Sequence, residues 1–571
     1  MAVYRGVVTA ATRAGKAYTV ADYLLDRLSE CGVDRIFGVP GDFTLQFLDH
    51  VDAHPIAWTG SANELGAGYA ADGYARVRGL GVVSTTFGVG ELSAINAIAG
   101  AYAEHVPVLS LVGAPTTAVQ AAARPTHHSL GDGDFGHTTR IFGEVTVACE
   151  QLAADTALDQ IDRVLATILA HSRPGYLSVP ADIGELPCEP PTAPLPLLEE
   201  TTDPAALDAF AVAARAFLGE VRPVVLADIL VHRSRAEESL ETLLRRGRLR
   251  YASMLWGRRV IDESHDDYIG IYTGAASTPE VASEIESAER LITAGVVFTD
   301  LTSGFFSQQL SDDRRIDLHS HAAIVGSERF DGVRMRDALD ALADILAVSD
   351  AQPRLVRDLV PASPPDANDE PLTQQTLWQA VASALREDDV LLADQGTSFY
   401  GIAVHDMPED VLFLGQPLWA SIGWALGATV GAAAGARGRR TVLLTGDGAA
   451  QLSVAELSTM LRLRLPVLMV VVDNDGYTVE RAIHGPDRAY NDIALWDWTQ
   501  LPTAFGASAG SVQTFRAGTT RELLAALRAA ADRPTATTVI QAMVGPMDIP
   551  PLLDAIAKAA ASANRRGAAA P

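Results

Sequence analysis

Met469 to Val472 is apolar enough to be a strand buried on both faces, yet it stops abruptly at Asp473-Asn474-Asp475-Gly476. A turn is the plain explanation, because Asn, Asp and Gly accept backbone angles that other residues avoid. The alternative is a strand that delivers oxygen ligands to a cation at its carboxyl end. Upstream, in TVLLTGDGAAQLSVAELSTMLRL, Thr441 to Thr445 reads as another strand, and Ser453 with Glu456 has the pattern of a capping box that opens a helix. Gly446-Asp447-Gly448 then lies between strand and helix, and LPVLMVVV returns as the next parallel strand. A right-handed crossover puts both polar clusters at the carboxyl ends of strands in one sheet, where α/β folds bind ligands. The Asp447 carboxylate, the Asn474 amide oxygen and the Gly476 carbonyl are hard donors suited to Mg2+ or Ca2+, with phosphate oxygens and a water completing the shell. A lone GDG is weak, but GDG followed after 24 residues by D-N-x-G is specific. A second GDG, Gly131-Asp132-Gly133, follows no apolar strand and lacks the spaced glutamate of an EF-hand loop, so it is assigned no metal.

The elements that must position these donors can be read along all 571 residues. Two proline-rich stretches, Cys188 to Pro204 and Pro361 to Pro371, read as semi-rigid spacers. They leave domains at 1–190, 204–360 and 371–558, and the low-complexity tail 559–571 is expected to be disordered. Each domain alternates β-branched runs with helical patterns: RIFGV, GVVSTT and VPVLSLVG, then PVVLADILV and AGVVFTD, then TVLLT and LPVLMVVV. That alternation predicts an α/β fold of three mainly parallel sheets flanked by helices. A net charge of −27 argues against a nucleic-acid partner. Cys31, Cys149 and Cys188 form no metal-ligand spacing and fit a reducing cytoplasm. The first eighteen residues lack the apolar core of a signal peptide, and no run is long enough to span a membrane.

GDGAAQL and DNDGYTVERAIHG, with VPGDF, NELGAGYAADGYAR, GVGELSAINAIAGAYAEHVPV and HHSLGDGDF, resemble the thiamine diphosphate-dependent 2-oxo acid decarboxylases. The branch most similar holds pyruvate, indolepyruvate, phenylpyruvate and branched-chain 2-oxo acid decarboxylases, and the likeness runs from about Tyr18 to Pro551. It implies a thiamine diphosphate-binding fold in the order pyrimidine, middle, pyrophosphate domain. It also implies loss of CO2 from a 2-oxo acid through a cofactor-bound carbanion/enamine that leaves as an aldehyde. Asp447, Asn474 and Gly476 would hold Mg2+ against the diphosphate, Thr397 and Ser398 would contact the phosphates, and Ile422 would wedge the cofactor into its bent shape. Ala420, Gly448, Ala449 and Tyr477 complete the implied cofactor site. One departure is Asp473, where the family usually has Asn.

Other residues carry two readings. Glu64, in Ser61-Ala62-Asn63-Glu64, reads locally as part of a capping box. The resemblance makes it the partner of the aminopyrimidine ring instead. Asp42 reads locally as an N-cap, and His127 and His128 as surface residues. By resemblance these three form, with a protonated Glu480, the acid-base cluster around the reacting carbon. These groups lie about 400 residues from the metal loop, so the family's arrangement implies a homodimer as the smallest active unit, doubled to a tetramer. The implied substrate pocket includes Thr302, Gln395, Phe399, Tyr400, Val479, Ile483, Ile556 and Ala560, and the small Ala560 favours aromatic or branched 2-oxo acids over pyruvate. Three other readings were weighed: a carboligase like acetolactate synthase, an inactive regulatory subunit, and a nicotinamide dehydrogenase. The last lacks a G-x-G-x-x-G after a strand, and the second should have lost Glu64, Asp447, Asn474 or Glu480.

Overall fold

The β-branched runs become strands buried on both faces, as in Gly81–Thr86, Val108–Ala114 and Gly175–Pro180, because helices cover each side. The computed structural model describes residues 17–198, 201–348 and 362–567. Expectations for the first sixteen residues, for parts of both spacers and for the last four residues lie outside that range.

The first sheet is parallel throughout, in the order Ala57–Gly60, Arg35–Gly38, Gly81–Thr86, Val108–Ala114, Gly175–Pro180, Cys149–Gln151. The last sheet repeats that order with Leu412–Leu414, Val390–Ala393, Thr441–Gly446, Val467–Asp473, Thr537–Met543 and Val512–Ala517, again all parallel. The seven-stranded middle sheet departs from the pattern at one edge, where Arg315–His319, Ala322–Val325 and Glu328–Asp331 form an antiparallel meander. The fold class is therefore as expected, three mainly parallel sheets with flanking helices. The expected disordered tail is corrected in part: the final helix runs Pro551–Gly567, well past Ala559. Its first fourteen residues include several alanines and one apolar stripe, a composition that favours helix.

The first and last sheets are tied by one crossing, between helices Glu64–Arg78 and Trp424–Gly435. A Cβ on Gly73 would lie 2.0 Å from the Ala428 carbonyl oxygen, and one on Gly431 would lie 1.7 Å from that of Ala70. The helices thus touch backbone to backbone, which only glycine allows. Beside the contact, buried Asp72 accepts from Arg76 Nε at 2.7 Å and from Trp424 Nε1 at 3.0 Å. The Arg76 guanidinium stacks 4.7 Å over the Trp424 ring and donates to the Gly415 carbonyl. Gly431→Ala is expected to force the helices apart, at a cost of roughly 1–3 kcal/mol or more, and to lower the thermal midpoint by several degrees in calorimetry. Gly143→Ala, where a Cβ meets open space, should leave the midpoint unchanged.

Candidate active site

The strand Thr441–Gly446 ends in a short helix, Asp447–Gln451, so Asp447 stands at the carboxyl edge of the sheet. Its neighbour Val467–Asp473 delivers Asn474 to the same edge. Asp447 is buried and accepts backbone N–H groups from Gly448 at 2.7 Å and from Asn474 and Gly476 at 3.2 Å. Burial pushes its carboxyl up to about 7, and nearby Asp473 adds to the rise. The Asn474 amide oxygen faces Asp447 Oδ1 at 3.2 Å and the Gly476 carbonyl at 3.1 Å. Three oxygens thus converge with no proton between them. Either the amide turns and donates to both, or a cation fills the gap. A hard divalent cation fits this donor set.

Arg481 shapes the loop from behind. It is buried and donates to the carbonyls of Asn474 at 3.2 Å and Asp475 at 2.7 Å. Asp473, the residue that departs from the family pattern, accepts from Gln541 Nε2 at 2.6 Å across the adjacent strand. A side chain on Gly448 would strike the Tyr477 ring at 2.7 Å, which places Tyr477 directly over the start of the loop. The expected capping box at Ser453 and Glu456 does not form. Ser453 donates to the Gly423 carbonyl, and buried Glu456 accepts the Ala62 N–H at 2.9 Å, because that helix starts only at Glu456 and its first turn faces the other domain.

Thr397 and Ser398 open the helix Thr397–Ile402 at the same edge, and the buried Ser398 hydroxyl has no hydrogen-bond partner. Asp394, which sequence reasoning missed, accepts from Gly423 N and from Thr445 Oγ1 at 3.1 Å, and burial pushes its carboxyl up to about 7. It locks the turn that presents Ala420, which adopts φ +55°, and half-buried Ile422. A plain core role for Ile422 does not fit that exposure.

In the first sheet's domain the capping reading of Glu64 is also overturned. Asn63 caps the helix, its Oδ1 accepting from Gly66 N at 2.7 Å, so Glu64 occupies the first helical position and not the fourth of a box. Its carboxylate lies near Gly90, where a Cβ would meet Glu64 Oε1 at 3.3 Å. The Asp42 carboxylate likewise caps nothing, since Gly41 precedes the short helical turn Asp42–Thr44. Instead Asp42 Oδ2 lies 2.8 Å from His127 Nε2, with His128 Nδ1 4.0 Å from Oδ1. Phe43 stacks on the His127 ring at 5.0 Å. His128 holds a left-handed φ of +67°, and Gly88 has no Cβ to strike its carbonyl. By contrast Asp132, of the second GDG, pairs with His137 at 2.7 Å.

Glu480 lies on the helix Thr478–His484, exposed in the single chain, with its carboxyl raised by desolvation. Val479 and Ile483 on that helix are half-buried. Of the other expected pocket residues, Thr302, Phe399, Tyr400, Ile556 and Ala560 are buried in this chain, and Gln395 Nε2 donates to the Tyr400 hydroxyl at 2.7 Å. Among the described residues, no hydrogen bond or ion pair joins Asp42, Glu64, His127 and His128 to the Asp447 loop.

Comparison with known proteins separates the two half-sites in the same way. The thiamine pyrophosphate enzyme N-terminal TPP binding domain matches residues 18–135, the central domain 210–345 and the C-terminal TPP binding domain 397–541. The chain belongs to the thiamine pyrophosphate enzymes. An alpha-keto-acid decarboxylase of Mycobacterium leprae (strain TN) is 50% identical over 552 residues, 96% of each chain. One of Mycobacterium tuberculosis (strain ATCC 25618 / H37Rv) is 52% identical over 539 residues, covering 94% of this chain and 96% of its own. The fold is shared with benzoylformate decarboxylase from Polynucleobacter necessarius, at a TM-score of 0.78 and 19% identity over 93% of this chain and 99% of that one.

In this thiamine pyrophosphate enzyme Arg481 and Asp394 had no motif of their own to reveal them. Their only signals were a charge inside a loop-following helix and an aspartate at a strand end. Arg481→Lys removes the planar fork that spans two carbonyls. It is expected to raise the Mg2+ concentration for half-maximal assembly with thiamine diphosphate about tenfold, measured by titrating the metal-free protein. An unchanged concentration would leave Arg481 a merely structural role.

Proposed function

We propose that this chain catalyses the non-oxidative decarboxylation of a 2-oxo acid to an aldehyde and CO2, using thiamine diphosphate and a divalent cation, Mg2+ in the first instance. The carrying observation is the convergence of oxygens from Asp447, Asn474 and Gly476 at one sheet edge, in a chain half identical to alpha-keto-acid decarboxylases. The donor set suits a hard cation bridging to phosphate. Thr397 and the unpartnered Ser398 hydroxyl would hold the diphosphate, with Ala449 and Tyr477 flanking it and Ile422 beneath the rings. The bound cofactor supplies a ring that accepts the electron pair left when CO2 departs.

The remaining chemistry falls to this chain's side chains. Glu64, released from capping by Asn63, is available to pair with the aminopyrimidine. Glu480, already biased toward its neutral form, can approach a substrate carboxylate without two anions repelling each other. Asp42 fixes the His127 ring and shares a proton with it, and the pair with His128 can hand a proton to the carbon that lost CO2.

Since Glu64 and Asp447 do not meet within one chain, a homodimer is the smallest unit with complete sites. Exposed apolar side chains flank both halves: Val89 and Leu92 beside Gly90, and Leu452 just after the Asp447 helix. Burying them against a second copy would join the halves. Glu64→Gln is expected to lower kcat roughly a hundredfold or more, and Asp447→Asn to abolish turnover. A dimer mixed from the two variants contains one intact site, so mixing and exchange should restore activity. Absence of recovery after verified exchange would refute the shared site.

The buried alanine at 560 on the final helix leaves room for an aromatic or branched side chain in preference to pyruvate's methyl group. kcat/KM measured across pH for phenylpyruvate, indolepyruvate, 2-oxoisocaproate and pyruvate tests substrate and mechanism together. Activity should fall above neutrality, as Glu480 loses the proton that its raised pKa retains. Glu480→Gln, which cannot ionise, should be slower with a flatter alkaline limb. Pyruvate as best substrate would reverse the size argument, and an unaltered alkaline limb would remove Glu480 from the reaction.

A further inference from the structure

A second cavity, of about 640 Å3, opens between the first and middle domains, remote from the residues above. That volume lies within the range of small-molecule sites, about 300–1,000 Å3. Five arginines line it: Arg173 from the first domain, Arg233 and Arg235 from the short helix end after Leu230, and Arg334 and Arg336 from the start of the helix Met335–Ile345. His105, His171 and His321 add three imidazoles, and no carboxylate is among the described lining residues. In a chain of net charge −27 this concentration of cationic side chains runs against the global sign.

The walls are built, not draped. Arg173 lies 4.2 Å over the Tyr102 ring and donates to His105 at 2.8 Å. Ser172 Oγ donates to the Arg233 carbonyl, Arg233 Nε to the Glu104 carbonyl, and Ser234 to Ser320, so hydrogen bonds join the first domain to the middle one and brace the middle domain's own wall. His105, caught between Arg173 and Arg233, is pushed down to about 3 by burial and then by both cations. Ser172 and Arg235 adopt left-handed φ of +49° and +53°, angles that cost a non-glycine residue energy and recur where a segment is held for a ligand. Arg235 and Arg336 extend into the opening as exposed side chains.

We propose that this cleft is a binding site for a small polyanion carrying at least two negative groups, which bridges the first and middle domains. Planar guanidinium forks match carboxylate and phosphate oxygens in pairs. Because they project from opposite walls, a ligand charged at both ends satisfies them where a single anion cannot. The shared chemistry is a multiply charged oxyanion, either a bisphosphate ester or a polycarboxylate.

Titration calorimetry on enzyme saturated with Mg2+ and thiamine diphosphate, with fructose 1,6-bisphosphate in one arm and tricarballylate in the other, tests the site and names the class. Saturable binding of one probe per chain is expected, weakened at least tenfold in Arg235→Ala/Arg336→Ala. That variant removes two exposed side chains and should keep its basal turnover and thermal midpoint. Absence of saturable binding by both probes up to about 10 mM, an affinity too weak for a built site, would overturn the proposal. So would binding that the double variant leaves unchanged.

Discussion

The architecture rests on a contact between two peptide backbones. Where Glu64–Arg78 crosses Trp424–Gly435, Gly73 and Gly431 remove the side chains that would hold the helices apart, and carbonyl oxygens sit where methyl groups would otherwise be. Helix Glu64–Arg78 begins at the carboxylate meant for the cofactor. Helix Trp424–Gly435 begins just after the turn that presents Ile422. Fixing the crossing therefore fixes the angle between a catalytic carboxylate and a cofactor-facing turn that are about 360 residues apart in sequence. Asp72, Arg76 and Trp424 surround the contact with charge-assisted bonds, which keeps buried polar atoms satisfied where apolar packing has no room.

Buried carboxylates recur as the joints of this molecule. Asp447 gathers three backbone N–H groups, Asp394 pins the Gly423 turn, and Glu456 reaches across to Ala62. Each is placed where a loop must be held without a regular hydrogen-bond ladder. Desolvation raises their pKa values, and N–H donors aimed at the oxygens offset part of that rise. Asp473 follows the same logic. Its partner Gln541 occupies the carboxylate and turns it along the sheet, so the substitution of Asn by Asp leaves the neighbouring oxygens in register.

Much of this was legible in the chain. Runs such as GVVSTT and VVV become strands because their β-branched residues fit a sheet covered on both faces, and GDG lands between strand and helix because glycine stops the strand there. The meander of the middle sheet and the length of the last helix were not, since both depend on what they pack against. Both capping boxes misled for a shared reason. The pattern Ser-x-x-Glu describes local donors and acceptors, whereas Glu64 and Glu456 take positions set by distant chain, and Asn63 and Ser453 find better partners. Arg481 and Asp394 could not be singled out because their function lies in which carbonyl or N–H they face, a property of the folded chain alone.

The first and last sheets share one strand order, and the middle sheet stands between them in sequence without interrupting either. Such a plan resembles a single building block used twice, with an independent module inserted at the join. Drift in the module's loops can therefore proceed without disturbing the catalytic edges, since none of the strands it would move belongs to them. The middle third is in this sense the part of the enzyme most open to acquiring new ligands over evolutionary time.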